Sequence, residues 1–130
     1  MAFVLAQSAT YSWTVHFEEP VDGSRFRRHT FEIVFKRLNQ SRIEEILVAQ
    51  QQLQRAVEFD HDDVLERLNE ARGHAAEVMA GWSGVKATDD APDDLPFTAK
   101  NLKAFLEVPG IASAVLKAYG ESLQLSKEKN

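Results

Sequence analysis

Residues 10–36 read TYSWTVHFEEPVDGSRFRRHTFEIVFK, and two runs within this stretch alternate between apolar and polar side chains. The apolar face of the first run carries Tyr11, Trp13, Val15 and Phe17. The matching face of the second run carries His29, Phe31, Ile33 and Phe35. A period of two with many aromatic and β-branched residues predicts two strands. Turn-forming residues fill the segment 20–24 between them, so the sequence predicts a β-hairpin.

The length of the turn determines which side chains share a face of this hairpin. A two-residue turn at Asp22-Gly23 would pair Trp13 with Glu32 and divide the apolar side chains between both faces. A loop of three or five residues instead gives the pairs Tyr11–Phe35, Trp13–Ile33, Val15–Phe31, Phe17–His29 and, on the polar face, Glu18–Arg28. Because a shift of one residue turns every side chain to the opposite face, burial favours the odd loop.

A hairpin alone is marginally stable in water, so its aromatic face needs a partner layer. We expect that layer to consist of helices, with residues 3–5 as a candidate third strand. A first helix is predicted to begin at Ser41, where Ser41 and Glu44 match a capping box. Its apolar stripe is Ile43, Ile46, Leu47, Leu53 and Val57.

Three further helices are predicted from apolar side chains at helical spacing. The second is capped by Asp60 or Asp62 and ends at Gly81 or Gly84, with apolar positions at Leu65, Leu68, Ala71, Ala75, Val78, Met79 and Trp82. The third begins after Thr98 and buries Leu102, Phe105 and Leu106. The fourth has Pro109 in its first turn, followed by the stripe Ile111, Val115, Leu116, Tyr119 and Leu123.

These elements predict an α+β fold that is mostly helical, with an N-terminal β-hairpin packed on about four α-helices. A chain of 130 residues is long enough for one modest core. We therefore expect a single globular domain over residues 1–125 and a disordered tail over 126–130. Within the domain, 1–37 form the hairpin region, 41–82 two helices, 83–97 an acidic loop and 98–124 two helices.

The composition narrows the classes of function. The chain has no cysteine, which excludes disulfides and thiolate metal sites. Its start lacks the basic region of a signal peptide, and no apolar run is long enough for a spanning helix. The net charge of −5 is uneven, with an excess of positive charge in residues 21–57 and of negative charge in 58–97. Such polarity can orient encounters between proteins, although it also serves simply to keep both regions solvated.

Two acidic runs have the composition of a metal site but not the spacing. In Asp60-His61-Asp62-Asp63 neighbouring side chains diverge, and helix capping explains the carboxylates better. The loop 89–94 lacks the central glycine and the distal glutamate of a calcium-binding EF-hand, which indicates a solvated acidic loop. No histidine–carboxylate pair or serine nucleophile can be assembled from local spacing. The sequence thus predicts no catalytic, cofactor-binding or metal-binding residues, and a protein that is not an enzyme.

One basic cluster is interleaved with phenylalanines at 26, 31 and 35, and it comprises Arg25, Arg27, Arg28, Lys36 and Arg37. Nucleic-acid-binding proteins show such interleaving. However, Phe31 and Phe35 are assigned to the hairpin core, and the pI of the chain is about 5.3. An acidic protein partner, or solubility alone, is favoured for these five residues. A small nucleic-acid-binding regulator remains the alternative.

The second half of the chain contains a series of short motifs in a fixed order. They are Gly81-Trp82-Ser83-Gly84-Val85, Leu95-Pro96-Phe97 before a capped helix, Asn101-Leu102, Pro109-Gly110 and the final Lys129-Asn130. In this combination the chain resembles the tail assembly chaperones of long-tailed (siphovirus-type) bacteriophages, most closely over residues 81–130. The residues that carry the resemblance, including Trp82, Gly84, Pro96, Phe97 and Pro109, are structural and form no catalytic signature.

The resemblance implies a role in virion assembly. Proteins of this family bind the tape measure protein, keep it soluble, recruit tail tube subunits and leave before the virion is complete. The expected location is the host cytoplasm, and the expected client surface is the basic cluster. Such chaperones are often also made in a longer form by ribosomal frameshifting. The adenine-rich codons of Lys127 to Asn130 suit a slippery run, so a longer form of the chain itself is a further expected partner.

Overall fold

The computed structural model describes residues 1–59 and 63–124, and its elements belong to the α+β class. A hairpin of β1 (Thr10–Val21) and β2 (Arg25–Lys36) is followed by α1 (Gln40–Phe59) and α2 (Val64–Val78). A third strand, β3 (Met79–Ser83), precedes α3 (Ala99–Leu106) and α4 (Ile111–Ser122). The strands form one antiparallel sheet in the order β1-β2-β3. The predicted fold class is confirmed, and the predicted tail 126–130 lies outside the described residues.

The hairpin has the register predicted from burial. Tyr11 pairs with Phe35, Trp13 with Ile33, Val15 with Phe31 and Phe17 with His29. Val21 pairs with Arg25, which leaves a loop of the three residues 22–24. Gly23 and Ser24 both have positive φ, at 83° and 58°, so the chain reverses through left-handed conformations there.

The third strand is not the one predicted. Residues 3–5 are exposed and form no strand, whereas Met79–Ser83 pairs with β2 on the side away from β1. The prediction that α2 runs to Trp82 was therefore wrong, because the helix ends at Val78 and Met79 is extended. Apolar residues at 75, 78, 79 and 82 fit a helical stripe, but pairing with the free edge of β2 outweighs that local preference. A Cβ at Gly81 would lie 3.6 Å from Val34 Cγ2, an ordinary van der Waals contact, so this glycine is not required by space.

Three of the predicted helix starts differ in the structure. The capping position of α2 is Asp63, where Asp60 or Asp62 was predicted. Asn39, rather than Ser41, caps α1, since its Oδ1 accepts a hydrogen bond from the Arg42 N–H at 2.9 Å. Pro109 precedes the capping residue of α4 instead of lying in its first turn, and the cap is Gly110 with φ 89°. A Cβ at Gly110 would lie 3.2 Å from Phe17 Cε1, so both conformation and space favour glycine. Thr98 caps α3 as predicted, accepting from the Asn101 N–H.

The core lies between the sheet and the helices. Phe35 and Val15 are fully buried, and Phe35 packs edge-on against Tyr119 of α4 with ring centroids 5.0 Å apart. The Tyr119 hydroxyl donates to the Lys36 carbonyl at 2.9 Å, and burial raises the pKa of this hydroxyl. The predicted stripes of α3 and α4 face this core, and Ala49 and Ala56 of α1 are buried as well. The assignments of Val57 and Leu65 to the core were wrong, since both are exposed.

Glu77 of α2 is held to α1 by Arg42. The Arg42 guanidinium donates from Nε to Glu77 Oε2 at 2.8 Å and from Nη2 to Oε1 at 2.6 Å. These hydrogen bonds hold the pKa of the Glu77 carboxyl below its usual value. A forked pair of this kind fixes the orientation of both helices as well as contributing attraction.

The substitution Glu77→Gln tests how much this ion pair contributes to the stability of the fold, and how that contribution depends on pH. Since the folded-state pKa is depressed, the pair stabilises the fold above the ordinary carboxyl value of 4.5 and loses its effect as pH falls below it. We expect the variant to unfold more easily at neutral pH and to lose less stability on acidification, as measured by urea titrations. Glu58→Gln, at an exposed position with no ion pair inside the described ranges, is the control. Identical acid sensitivity in wild type and Glu77→Gln would contradict this.

Candidate functional site

Trp82 anchors the acidic loop that follows β3. Its indole Nε1 donates to the Leu95 carbonyl at 2.7 Å, and its ring meets Phe97 at a centroid distance of 4.9 Å in a T-shaped contact. A second contact, also at 4.9 Å, joins the ring to Phe105 of α3. The two ends of the loop are tied together by the Leu95 N–H, which donates to the Val85 carbonyl at 2.7 Å.

The other motif residues support this anchor. Gly84 has φ 84° and lies against Phe31, so the chain leaves β3 through a conformation that glycine adopts without strain. The Pro96 carbonyl accepts from Asn101 Nδ2 at 2.9 Å, which fixes the loop to the first turn of α3. The motif that carries the resemblance therefore holds the loop 84–97 against the sheet and α3. The role of this motif in the structure is to hold the chain in position.

The five predicted basic residues fall into two groups. Arg25, Arg27 and Arg28 lie beside the hairpin turn, whereas Lys36 and Arg37 lie at the other end of β2. At ~3.3 Å per residue the two ends of this strand are roughly 35 Å apart. We call Arg25, Phe26, Arg27 and Arg28 the hairpin-tip cluster. None of its arginines makes an ion pair within residues 1–59 and 63–124.

Phe26 shares one face of the hairpin tip with Arg28. Arg25 and Arg27 lie on the opposite face, because successive side chains of a strand alternate. The Phe26 side chain is 65% exposed and is flanked in sequence by Arg25 and Arg27. Arg25 Nε donates to the Asp22 carbonyl at 3.2 Å, which folds this side chain back over the turn. Arg37, in the other group, stacks on the Tyr11 ring at 4.7 Å and donates to the Ser8 carbonyl. Its guanidinium is thus occupied by contacts with β1 and the residues before it.

Exposed apolar side chains also occur at the far end of the α1–α2 pair, namely Val57, Phe59 and Leu65. The sequence assigned Val57 and Leu65 to the core because each lies at helical spacing from other apolar residues. The number of apolar residues could have identified them, because both helices carry more apolar residues than one buried stripe can hold. Exposed apolar groups of this kind mark binding surfaces when they are clustered.

Two of the histidines are engaged on the surface. His29 Nε2 and Glu19 Oε1 lie 2.7 Å apart, and His16 Nδ1 lies 3.2 Å from Thr30 Oγ1. Residues 60–62 of the acidic run lie outside the described residues, while Asp63 accepts from Arg67 Nε at 2.8 Å. In residues 1–59 and 63–124 no three histidine, aspartate or glutamate side chains come together in a way that could hold a metal ion.

The same residues include no helix long and apolar enough to cross a membrane. The fold is that of a small α+β protein. The chain matches the family model described as phage tail assembly chaperone over residues 1–130, and it belongs to that family. Its role is therefore in assembly of the phage tail. Comparisons with curated proteins and with solved structures give no match.

Proposed function

We propose that the protein binds the tape measure protein of its phage, helps to recruit tail tube subunits to it, and makes or breaks no bond in doing so. The observation that carries this proposal is family membership over the whole chain. A chaperone of this kind acts in the host cytoplasm and leaves before the virion is complete. A longer, frameshifted form of the same chain is included in the proposal as a second partner.

The hairpin-tip cluster is the surface on which we place the client. It has an exposed aromatic ring and three arginines at the end of the hairpin, with Phe26 and Arg28 on one face. Aromatic and arginine side chains supply most of the binding free energy in many protein interfaces. A helical client segment with apolar and acidic side chains on one face complements this cluster in charge and in its exposed apolar ring. Lys36 and Arg37 lie too far from the tip to contact the same short segment and would meet a different region of a long client.

Co-purification with a tape measure fragment tests this function. We expect the wild-type chain to retain the fragment, and a variant with Arg25→Glu, Phe26→Ser and Arg27→Glu to weaken binding at least about 100-fold, or ~2.7 kcal/mol. The three positions are exposed, so the fold should be unaffected. Arg55→Glu, which reverses one charge on the exposed face of α1, is the control and should bind as wild type does.

The outcomes separate the alternatives. Loss of binding in a Lys36→Glu, Arg37→Glu variant, with no loss in the hairpin-tip variant, would move the client surface to the other end of β2. Failure of the wild-type chain to retain the fragment would contradict the proposed function. Binding of DNA or RNA with a steep dependence on salt would instead support the nucleic-acid regulator, because phosphate contacts release counterions.

A further inference from the structure

We propose that two adjoining hollows beside the α3–α4 turn hold an amphipathic helix of the client, with one apolar side chain of that helix on each side of Val108. The inference rests on the proposed function for the identity of the client, and it adds the surface and the shape of the bound segment. The hollows have volumes of about 550 and 300 Å³. Val108 lines both of them and is 44% exposed, so it forms the ridge between them. We call this pair of hollows the Val108 groove.

The first hollow has an aromatic floor. It lies between the hairpin, the start of the loop 84–97 and the α3–α4 turn. Phe31 and Phe105 meet there edge to face, with ring centroids 5.6 Å apart. The hydrogen bond from the Leu95 N–H to the Val85 carbonyl fixes the loop wall of this hollow. The hollow is therefore a formed apolar site that needs no rearrangement of the loop.

The second hollow lies between α2 and the α3–α4 turn. Its apolar lining comprises Leu68, Ala71, Leu106, Val108 and Pro109. Proline has no N–H, so the wall at Pro109 presents no backbone donor. The charged side chains of this lining are Arg72 and Glu107, one of each sign. An apolar side chain thus fits this hollow, and its rim favours neither sign of charge.

The backbone of the ridge indicates that the bound segment is a helix. The Val108 N–H donates to the Phe105 carbonyl at 3.2 Å, and the Val108 carbonyl accepts from the Ile111 N–H at 3.1 Å. Because these groups are already bonded within the turn, a segment lying on them has to satisfy its own N–H and C=O groups. A helix does this, whereas an extended segment does not. Apolar side chains that recur at helical spacing lie in line on one face, so two of them can straddle the ridge.

The rim of the first hollow favours an acidic side chain next to the apolar one. Arg27 and Lys86 line this rim, and neither makes an ion pair within residues 1–59 and 63–124. Of the two carboxylates in the lining, Glu19 is engaged by His29 at 2.7 Å, which leaves Asp89 against two cations. Arg27 also belongs to the hairpin-tip cluster. The Val108 groove therefore continues the surface on which we place the client, along the face of the hairpin that carries Arg27.

The groove lacks the features of a site for a polar small molecule. Such a site needs a few polar groups that converge inside the pocket. In the part of the chain that the structure describes no charged side chain is buried, and the charged groups of both hollows lie at their rims. The chemistry of the groove matches a peptide segment with apolar anchors.

Two synthetic peptides test the Val108 groove without any phage protein. The first is a helical peptide with leucines seven residues apart on one face, about 10 Å along the helix, and glutamates beside one of them. The second has the same composition in scrambled order. We expect the first peptide to bind and to shift the amide resonances of Val85, Leu106 and Val108, and the scrambled peptide to do neither.

Val108→Glu places a charge on the ridge and should weaken binding of the first peptide at least about tenfold, or ~1.4 kcal/mol. Val48→Glu makes the same change at a similarly exposed valine of α1 and should bind as wild type does. A thermal melt of Val108→Glu checks that the variant is folded. If it is not, the resonance shifts of the wild-type chain decide.

The outcomes separate this inference from the proposed function. A first peptide that does not bind, or that binds wild type and Val108→Glu equally, overturns the groove. A tape measure fragment that both chains retain equally overturns it too, and leaves the proposed function standing. A fragment that the wild-type chain does not retain contradicts the proposed function, while the peptides still decide whether the groove takes an amphipathic helix.

Discussion

Trp82→Ala is expected to lower the free energy of unfolding by about 3–5 kcal/mol, the usual range for removing a large aromatic side chain from a packed site. The substitution removes two aromatic contacts, with Phe97 and Phe105, and the hydrogen bond to the Leu95 carbonyl. Without the indole, the Leu95 carbonyl has lost its hydrogen-bond donor. Water can replace that donor only if the loop moves. We therefore expect the loop 84–97 to detach before the rest of the molecule unfolds.

Urea unfolding and amide exchange measure the global and the local effect separately. The global loss should appear in the urea midpoint, and the local loss in faster exchange of the Leu95 amide, which donates to the Val85 carbonyl. Trp82→Phe keeps a ring without the donor and should be intermediate. Phe26→Ala, at an exposed position, should change stability by less than about 0.5 kcal/mol. A Trp82→Ala variant with the stability of wild type would show that the ring is not packed into the core.

The register of the hairpin could be predicted from the sequence because its two faces differ strongly. Tyr11, Trp13, Val15 and Phe17 alternate with polar residues, so only one turn parity buries them together. The third helix could be predicted for a similar reason, since Thr98 is a strong cap directly before an apolar stripe. In both cases the local signal and the tertiary environment favour the same structure.

The third strand could not be predicted, because its residues fit two structures. Met79 and Trp82 continue the helical spacing of α2, and only the presence of an unpaired edge on β2 favours an extended chain. That edge is a property of the assembled sheet and is invisible in a local window. Residues 3–5, which have higher β-propensity, remain exposed, so propensity alone selected the wrong segment.

The arrangement of the basic cluster also could not be predicted from the local sequence. Its five basic residues lie within positions 25–37, yet an extended strand separates Arg25 from Lys36 by most of the length of the sheet. A helix would have placed the same residues within about 20 Å. The sequence shows which residues are basic, whereas the structure places them in two separate groups. The exposure of Phe26 is what distinguishes the hairpin tip from the other group.

Phe35→Ala is expected to cost about 3–5 kcal/mol as well, but with a different outcome for the molecule. Phe35 is fully buried, and its residue pairs with Tyr11 of β1 and with Met79 of β3. Its ring also packs on Tyr119 of α4. The Phe35 side chain thus connects all three strands to α4. A cavity at this point weakens every layer at once, because the adjacent Met79 and Tyr119 are themselves buried in the packed core.

Thermal unfolding distinguishes this effect from that of Trp82. We expect the Phe35→Ala variant to melt in a single transition lowered by roughly 10–20 °C, with no earlier loss of the loop 84–97. Phe35→Leu, which refills most of the volume, should recover more than half of the loss. Val48→Ala, on the exposed face of α1, is the control and should melt as wild type does. If Phe35→Ala instead left the β1–β2 amides protected while α4 detached, the sheet and α4 would be separate units of stability, and Phe35 would not be the residue that couples them.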